Sequence, residues 1–118
     1  MSWHVELTED AAAEIAALPA DMRAHFLRIA GLLEEFGPHK VREPHVKPLE
    51  DKLWEIRMKG KDGIARAIYF TARGQRLVVV RAFIKKTQKT PQREMALASE
   101  RMQTYLALPM RNVSRLIN

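Results

Sequence analysis

The chain of 118 residues contains no cysteine. Disulfides and thiolate metal sites are therefore excluded, and the composition fits a reducing compartment. No apolar run approaches the roughly 20 residues of a membrane helix, and the first residues do not follow a signal-peptide pattern. A cytoplasmic protein without a membrane partner is expected. The four histidines, His4, His25, His39 and His45, lack metal-ligand spacing. His25, on the polar side of its helix, is expected at the surface. There is no phosphate-binding loop, dinucleotide glycine pattern or nucleophile elbow. Ser2, Ser99 and Ser114 have no evident base nearby in sequence. No metal and no cofactor are expected.

What the chain does have is positive charge. Twenty Lys and Arg face fourteen Asp and Glu, a formal balance of +6. That excess favours a polyanionic partner, nucleic acid first and acidic protein second. Hydrophobic residues make up 47% and charged residues 29%, as in a folded domain with a real core.

The pattern of elements is readable in order. Trp3, Val5 and Leu7 alternate with His4 and Glu6 as a short half-buried strand should. Thr8 offers a helix cap followed by Glu9 and Asp10, and this helix stops at Pro19. Asp21 is the next candidate cap, with Met22, Phe26, Ile29, Leu33 and Phe36 along one stripe. Gly37-Pro38 ends that second helix. Residues 39–52 read as a loop. Three strand-like runs follow, Leu53–Met58, Ile64–Thr71 and Arg76–Ile84, with Gly60, Gly63 and Gly74 at the turns. Thr90-Pro91 reads as the cap and first position of a last helix presenting Met95, Ala98, Met102 and Tyr105. The expectation is an α+β fold in the order β-α-α-β-β-β-α, mostly antiparallel, with two N-terminal helices on one face and a C-terminal helix.

Strand parity then sorts side chains onto faces. A turn centred on Arg73-Gly74 places Arg66 opposite Arg81. A four-residue loop at Gly60–Gly63 pairs Arg57 with Arg66, whereas a two-residue Asp62-Gly63 turn shifts that pairing by one row; both keep Arg57 on the same face. One face carries Trp54, Ile56, Met58, Ala65, Ala67, Tyr69, Val78, Val80, Ala82 and Ile84. The other carries Arg57, Arg66 and Arg81 among Ile68, Phe70, Val79 and Phe83, with Glu55 able to neutralise one arginine. Like charges directly opposite destabilise a sheet. Two readings remain open at this stage. The arginines pair with acids of the last helix, such as Glu94 or Glu100, or they hold an anion. Lys85, Lys86 and Lys89 leave the strand that carries Arg81, so both groups converge on one region.

The segments "LWEIRMKGKDGIARAIYF" and "VVVRAFIKKTQKTPQREMALASERM" resemble the phage-derived Gp49-like/HigB branch of the RelE toxin superfamily. The shared pattern is a Leu-Trp-Glu-Ile/Leu-Arg strand, an Arg-x-x-Tyr strand, and Phe-x-Lys-Lys-Thr-Gln-Lys-Thr-Pro before an Ala-rich helix. Where many members have a His-Gly pair ahead of the phenylalanine, this chain has Arg81-Ala82.

The resemblance implies a single RelE-like domain over residues 1–109 with a tail at 110–118. It implies a toxin of a type II toxin–antitoxin pair, partnered by a helix-turn-helix antitoxin. The implied activity is metal-independent cleavage of mRNA in the ribosomal A site, by attack of the 2′-hydroxyl on the adjacent phosphate. In that pattern Arg57 and Arg66 clamp the phosphate, and Lys86 or Lys85 protonates the leaving oxygen or adds charge. Arg81, Lys47, Lys59 and Lys89 are RNA or phosphate contacts. The alternatives are a non-catalytic ParE-like inhibitor of DNA gyrase on the same scaffold, and an inactive phage-derived nucleic-acid-binding module. The nuclease reading predicts that Arg66→Ala abolishes activity without unfolding the chain.

Overall fold

The computed structural model describes residues 3–42, 44–85 and 90–107, together with the backbone of 114–115. Strand β1 (His4–Leu7) leads through Thr8 into helix α1 (Glu9–Ala16). The Thr8 hydroxyl accepts the Ala11 N–H at 3.2 Å, which satisfies one of the orphan donors of a helix start. Helix α2 (Ala20–Phe36) starts from Pro19 without a side-chain cap. Asp21 is therefore not the cap expected from the sequence. Its carboxylate instead accepts the Lys61 N–H at 2.8 Å, and this bond holds its pKa below the ordinary value.

Six strands form one mixed sheet in the order β2-β3-β4-β5-β1-β6. Strands β2 (Val46–Pro48), β3 (Trp54–Gly60), β4 (Gly63–Ala72) and β5 (Arg76–Lys85) are antiparallel neighbours. Strand β1 runs parallel to β5, and β6 (Ser114–Arg115) pairs antiparallel with β1. Helix α3 (Gln92–Ala107) completes the α+β architecture. The expected order holds for the long elements. The pieces not anticipated are β2, inside what read as a loop, and β6, inside what read as a tail. Among the described residues no helix is long and apolar enough to cross a membrane.

Helices α1 and α2 pack on one face, where Met22, Phe26, Ile29 and Leu33 meet Ile56, Met58, Ala67 and Tyr69. Helix α3 packs on the other, where Ala98, Met102 and Tyr105 meet Ile68, Phe70, Val78, Val80 and Phe83. Phe36 does not share the buried stripe of α2; it is half exposed at the helix end. Glu6, expected on a solvent side of β1, is buried under α3, within reach of Arg76 and the Tyr105 hydroxyl. A strand covered on both faces has no solvent side, so alternation misled there.

The β3–β4 pairing is one of the two expected, with Arg57 directly opposite Arg66. The β4–β5 pairing is not the expected one. Arg66 lies opposite Phe83 and Arg81 opposite Ile68. Two features cause the shift. The connection spans Arg73 to Gln75, with Gly74 and Gln75 both at positive φ (80° and 57°). Farther along, the register slips between Ile68 and Tyr69, leaving Val80 as an extra residue on β5. The bulge exchanges the faces of Val78, Val79 and Val80 relative to simple alternation. Beyond it the parity is restored, so Arg57, Arg66 and Arg81 still share the α3 face.

Beyond Val79, β5 has outrun its β1 neighbour, whose last ladder partner is Leu7. Side chains take over that edge. The Arg101 guanidinium donates to the Val80 carbonyl at 2.9 Å, and the Ala82 N–H donates to Glu14 at 3.0 Å. A buried strand edge whose groups went unmet would cost free energy at each one, and these two side chains remove part of that cost.

Candidate active site

The cationic residues singled out from the sequence divide into two clusters. The first surrounds Glu55. Its neighbours on the same face are Arg57 one row along β3, Lys47 directly opposite on β2, and Arg66 on β4. Lys85, the last residue of β5, lies opposite Ile64 and so joins the same end of the sheet. Four cations thus gather around one carboxylate.

Glu55 and Arg66 are almost completely buried, at 1% and 2% exposure. The Arg66 Nη1 donates to Glu55 Oε1 at 3.0 Å, and the Thr90 hydroxyl donates to Glu55 Oε2. Thr90 is thus not simply the helix cap expected from the sequence. The first α3 bonds, from Glu94 and Met95 N–H, go to the Pro91 carbonyl. The hydroxyl of Thr90 is spent on Glu55 instead.

The electrostatics follow from this crowding. Burial lowers the Arg66 pKa, opposed by Glu55 and reinforced by Arg57, although a guanidinium stays charged throughout the usable pH range. Burial also lowers the Lys85 ammonium, and the charges of Arg66, Lys47 and Arg57 push it the same way while Glu55 resists. A lysine lowered in this manner gives up its proton more readily than a solvated one.

Arg81 belongs to the second cluster. Its Nε and Nη2 donate to the two oxygens of Glu94 at 2.7 and 3.1 Å, and its Nη1 donates to Glu14 at 2.7 Å. The guanidinium also stacks over Phe83, 5.4 Å from the ring centre. The hydrogen bonds to Glu94 raise its pKa, so its charge is firmly held. Glu14 takes Arg101 as a second partner at 2.9 Å. Of the two acids proposed from the sequence, Glu94 is the partner. Glu14 was missed, because nothing in an isolated Ala-rich helix tells which carboxylate will meet a distant strand.

Lys59, exposed near the β3–β4 turn, shares its row with Ile64 and Lys85, one row beyond Arg57 on the same face. Its N–H donates to His25 Nδ1 at 2.8 Å, and the His25 ring sits edge-on to His45, 6.1 Å between centres. His25 is therefore a partly buried fastening point rather than plain surface. Lys86 and Lys89 lie outside the described residues. Among the described residues, no group of three His, Cys, Asp or Glu is arranged to hold a metal ion.

Fold and site together define a small basic α+β domain, one face of whose sheet gathers cations around a buried Arg–Glu pair. Residues 13–103 match the family described as phage-derived protein Gp49-like, and the chain belongs to that family. The family is part of the RelE/ParE-like toxin superfamily, and its members are commonly toxin-like. No curated protein matches the chain.

Proposed function

We propose that the chain is the toxin of a toxin–antitoxin pair and cleaves mRNA at the ribosome without a metal. The observation that supports this best is the convergence of Lys47, Arg57, Arg66 and Lys85 on one end of a single sheet face. In-line attack of a 2′-hydroxyl on its neighbouring phosphate places extra negative charge on the phosphoryl oxygens. Fixed cations aimed there stabilise that charge without reorganising. The 2′-hydroxyl gives its proton to solvent water as its oxygen bonds to phosphorus, the bond to the 5′-oxygen breaks, and that oxygen takes up a proton.

Arg57 and Arg66 supply the charge, and Lys85, with its lowered pKa, supplies the proton. Lys86 shares that role on the strength of the resemblance alone, as Lys89 shares the phosphate contacts. Lys47 and Lys59 guide the RNA backbone. Arg81, engaged by two carboxylates, serves as framework beside the site. A helix-turn-helix antitoxin is the protein partner.

Arg66→Ala is a poor probe, because it strands a buried Glu55. Arg57 is half buried and better suited. Arg57→Ala is expected to lower ribosome-dependent cleavage by about 100- to 1,000-fold, the usual effect of removing one donor to a developing oxyanion. The melting temperature should barely move. Full cleavage and full growth arrest by Arg57→Ala would remove the phosphate site from this face.

A further inference from the structure

The reading above assigns work to the cations; the carboxylate among them has none. We infer that Glu55 is the positioning residue of this site, setting the aim of the Arg66 guanidinium and tying it to the start of α3 through Thr90. The inference rests on the phosphate-site reading.

Three observations carry it. The first is placement. Arg66 sits directly across from Arg57 and close enough to Lys85 to perturb it, so repulsion acts on the guanidinium from two sides. Glu55 Oε1, 3.0 Å from Nη1, is an attraction that holds one corner of a planar fork against that repulsion. The second is how Glu55 is itself held. Its other oxygen takes the Thr90 hydroxyl, so the carboxylate cannot swing with its own χ angles. Strands β3 and β4 and the start of α3 thus meet at one side chain.

The third is energetic. A buried ion pair is a poor stabiliser, since two apolar residues of the same volume commonly do as well or better. Keeping both charges at about 2% exposure within a cation cluster is explained by what the pair does for the site. Glu55 touches no reacting atom in this scheme. It acts through Arg66, by preventing the misplacement of a charge that must meet the transition state within a fraction of an ångström.

Aim and attraction separate cleanly in experiment. Glu55→Gln keeps the shape and removes an anion from a cation cluster. Binding of a non-cleavable oligoribonucleotide, 2′-O-methylated at the scissile position, should therefore hold or tighten. Single-turnover cleavage of the unmodified oligomer on ribosomes should fall by about 10- to 100-fold. A merely structural residue would lower both together, in step with the folded fraction.

Arg66→Gln and the Glu55→Gln/Arg66→Gln double variant, which buries two amides in place of two charges, complete the cycle. The double variant should cleave no worse than Arg66→Gln. Thr90→Val, which removes only the second bond to Glu55, should shift cleavage the same way by less. Nitrogen NMR signals of the Arg66 guanidinium report the aim without any RNA: slowly rotating in the native chain, averaged in Glu55→Gln. Unchanged Arg66 signals, or an equal loss of cleavage with and without Arg66, would overturn the inference. A native chain that cleaves nothing would sink the nuclease reading instead, and the guanidinium signals would still decide the role of Glu55.

Discussion

Arg66 and Arg81 leave adjacent strands on the same face of one sheet, yet they meet opposite surroundings. Arg66 is 2% exposed, shares the carboxylate of Glu55 with a hydroxyl, and has Arg57 and Lys85 for neighbours. Arg81 is 21% exposed and holds two carboxylates, one of them bidentate. Among the described residues, cations outnumber acids around the first; around the second, Glu14 and Glu94 balance Arg81 and Arg101. Residue type and face are the same, so neither decides how fully each guanidinium is matched by carboxylates. The acids brought by helices α1 and α3 decide it.

That contrast can be broken from either side. Arg66→Ala leaves a nearly inaccessible carboxylate uncompensated, and the expected loss is about 3–5 kcal/mol of stability. Chemical denaturation would register it as a lowered midpoint. A variant as stable as the native chain would mean that water reaches Glu55 freely.

Arg81→Met is expected to cost about 1–3 kcal/mol, because Glu94 and Glu14 keep some solvent and Glu14 keeps Arg101. Per folded molecule, cleavage should fall far less than in Arg57→Ala. If Arg81→Met proved the worse nuclease at equal folding, Arg81 would belong to the site and the division into two clusters would be wrong. Glu14→Gln keeps a hydrogen-bonding oxygen for the Ala82 N–H while losing the charge. Its effect should lie near 1 kcal/mol, seen as faster hydrogen exchange at Ala82.

Much of this was legible in the sequence, for identifiable reasons. The shared face of Arg57, Arg66 and Arg81 came out as read only because two departures cancel. The three-residue β4–β5 connection reverses the parity, and the bulge at Val80 reverses it back. The β3–β4 register is one of the two that the turn allowed. The bulge at Val80 was invisible because three consecutive valines give no sign of which one is extra. Glu6 deceived for a related reason, since a polar residue in an alternating strand reads as exposed whether or not a helix covers it. The Glu55 latch was half visible. Its place beside the arginines followed from alternation, but the Thr90 contact joins residues separated by 35 positions, and only the fold brings them together.

The smallest expected effect concerns a third kind of basic side chain, one that the fold keeps neutral. The Nδ1 of His25 accepts the Lys59 N–H, so its lone pair is in use and protonation there would break the bond. Burial lowers the imidazole pKa below its ordinary 6.5, and the nearby charge of Arg28 adds to the effect. The unfolded chain therefore binds the proton more readily than the folded one. Stability from this contact is complete above pH 6.5 and drains away as the pH falls through the folded value, with a slope of at most about 1.4 kcal/mol per pH unit for one proton. Melting temperatures measured from pH 7.5 to 5 should fall for the native chain and fall less steeply for His25→Gln. Parallel curves would show that His25 titrates alike in both states.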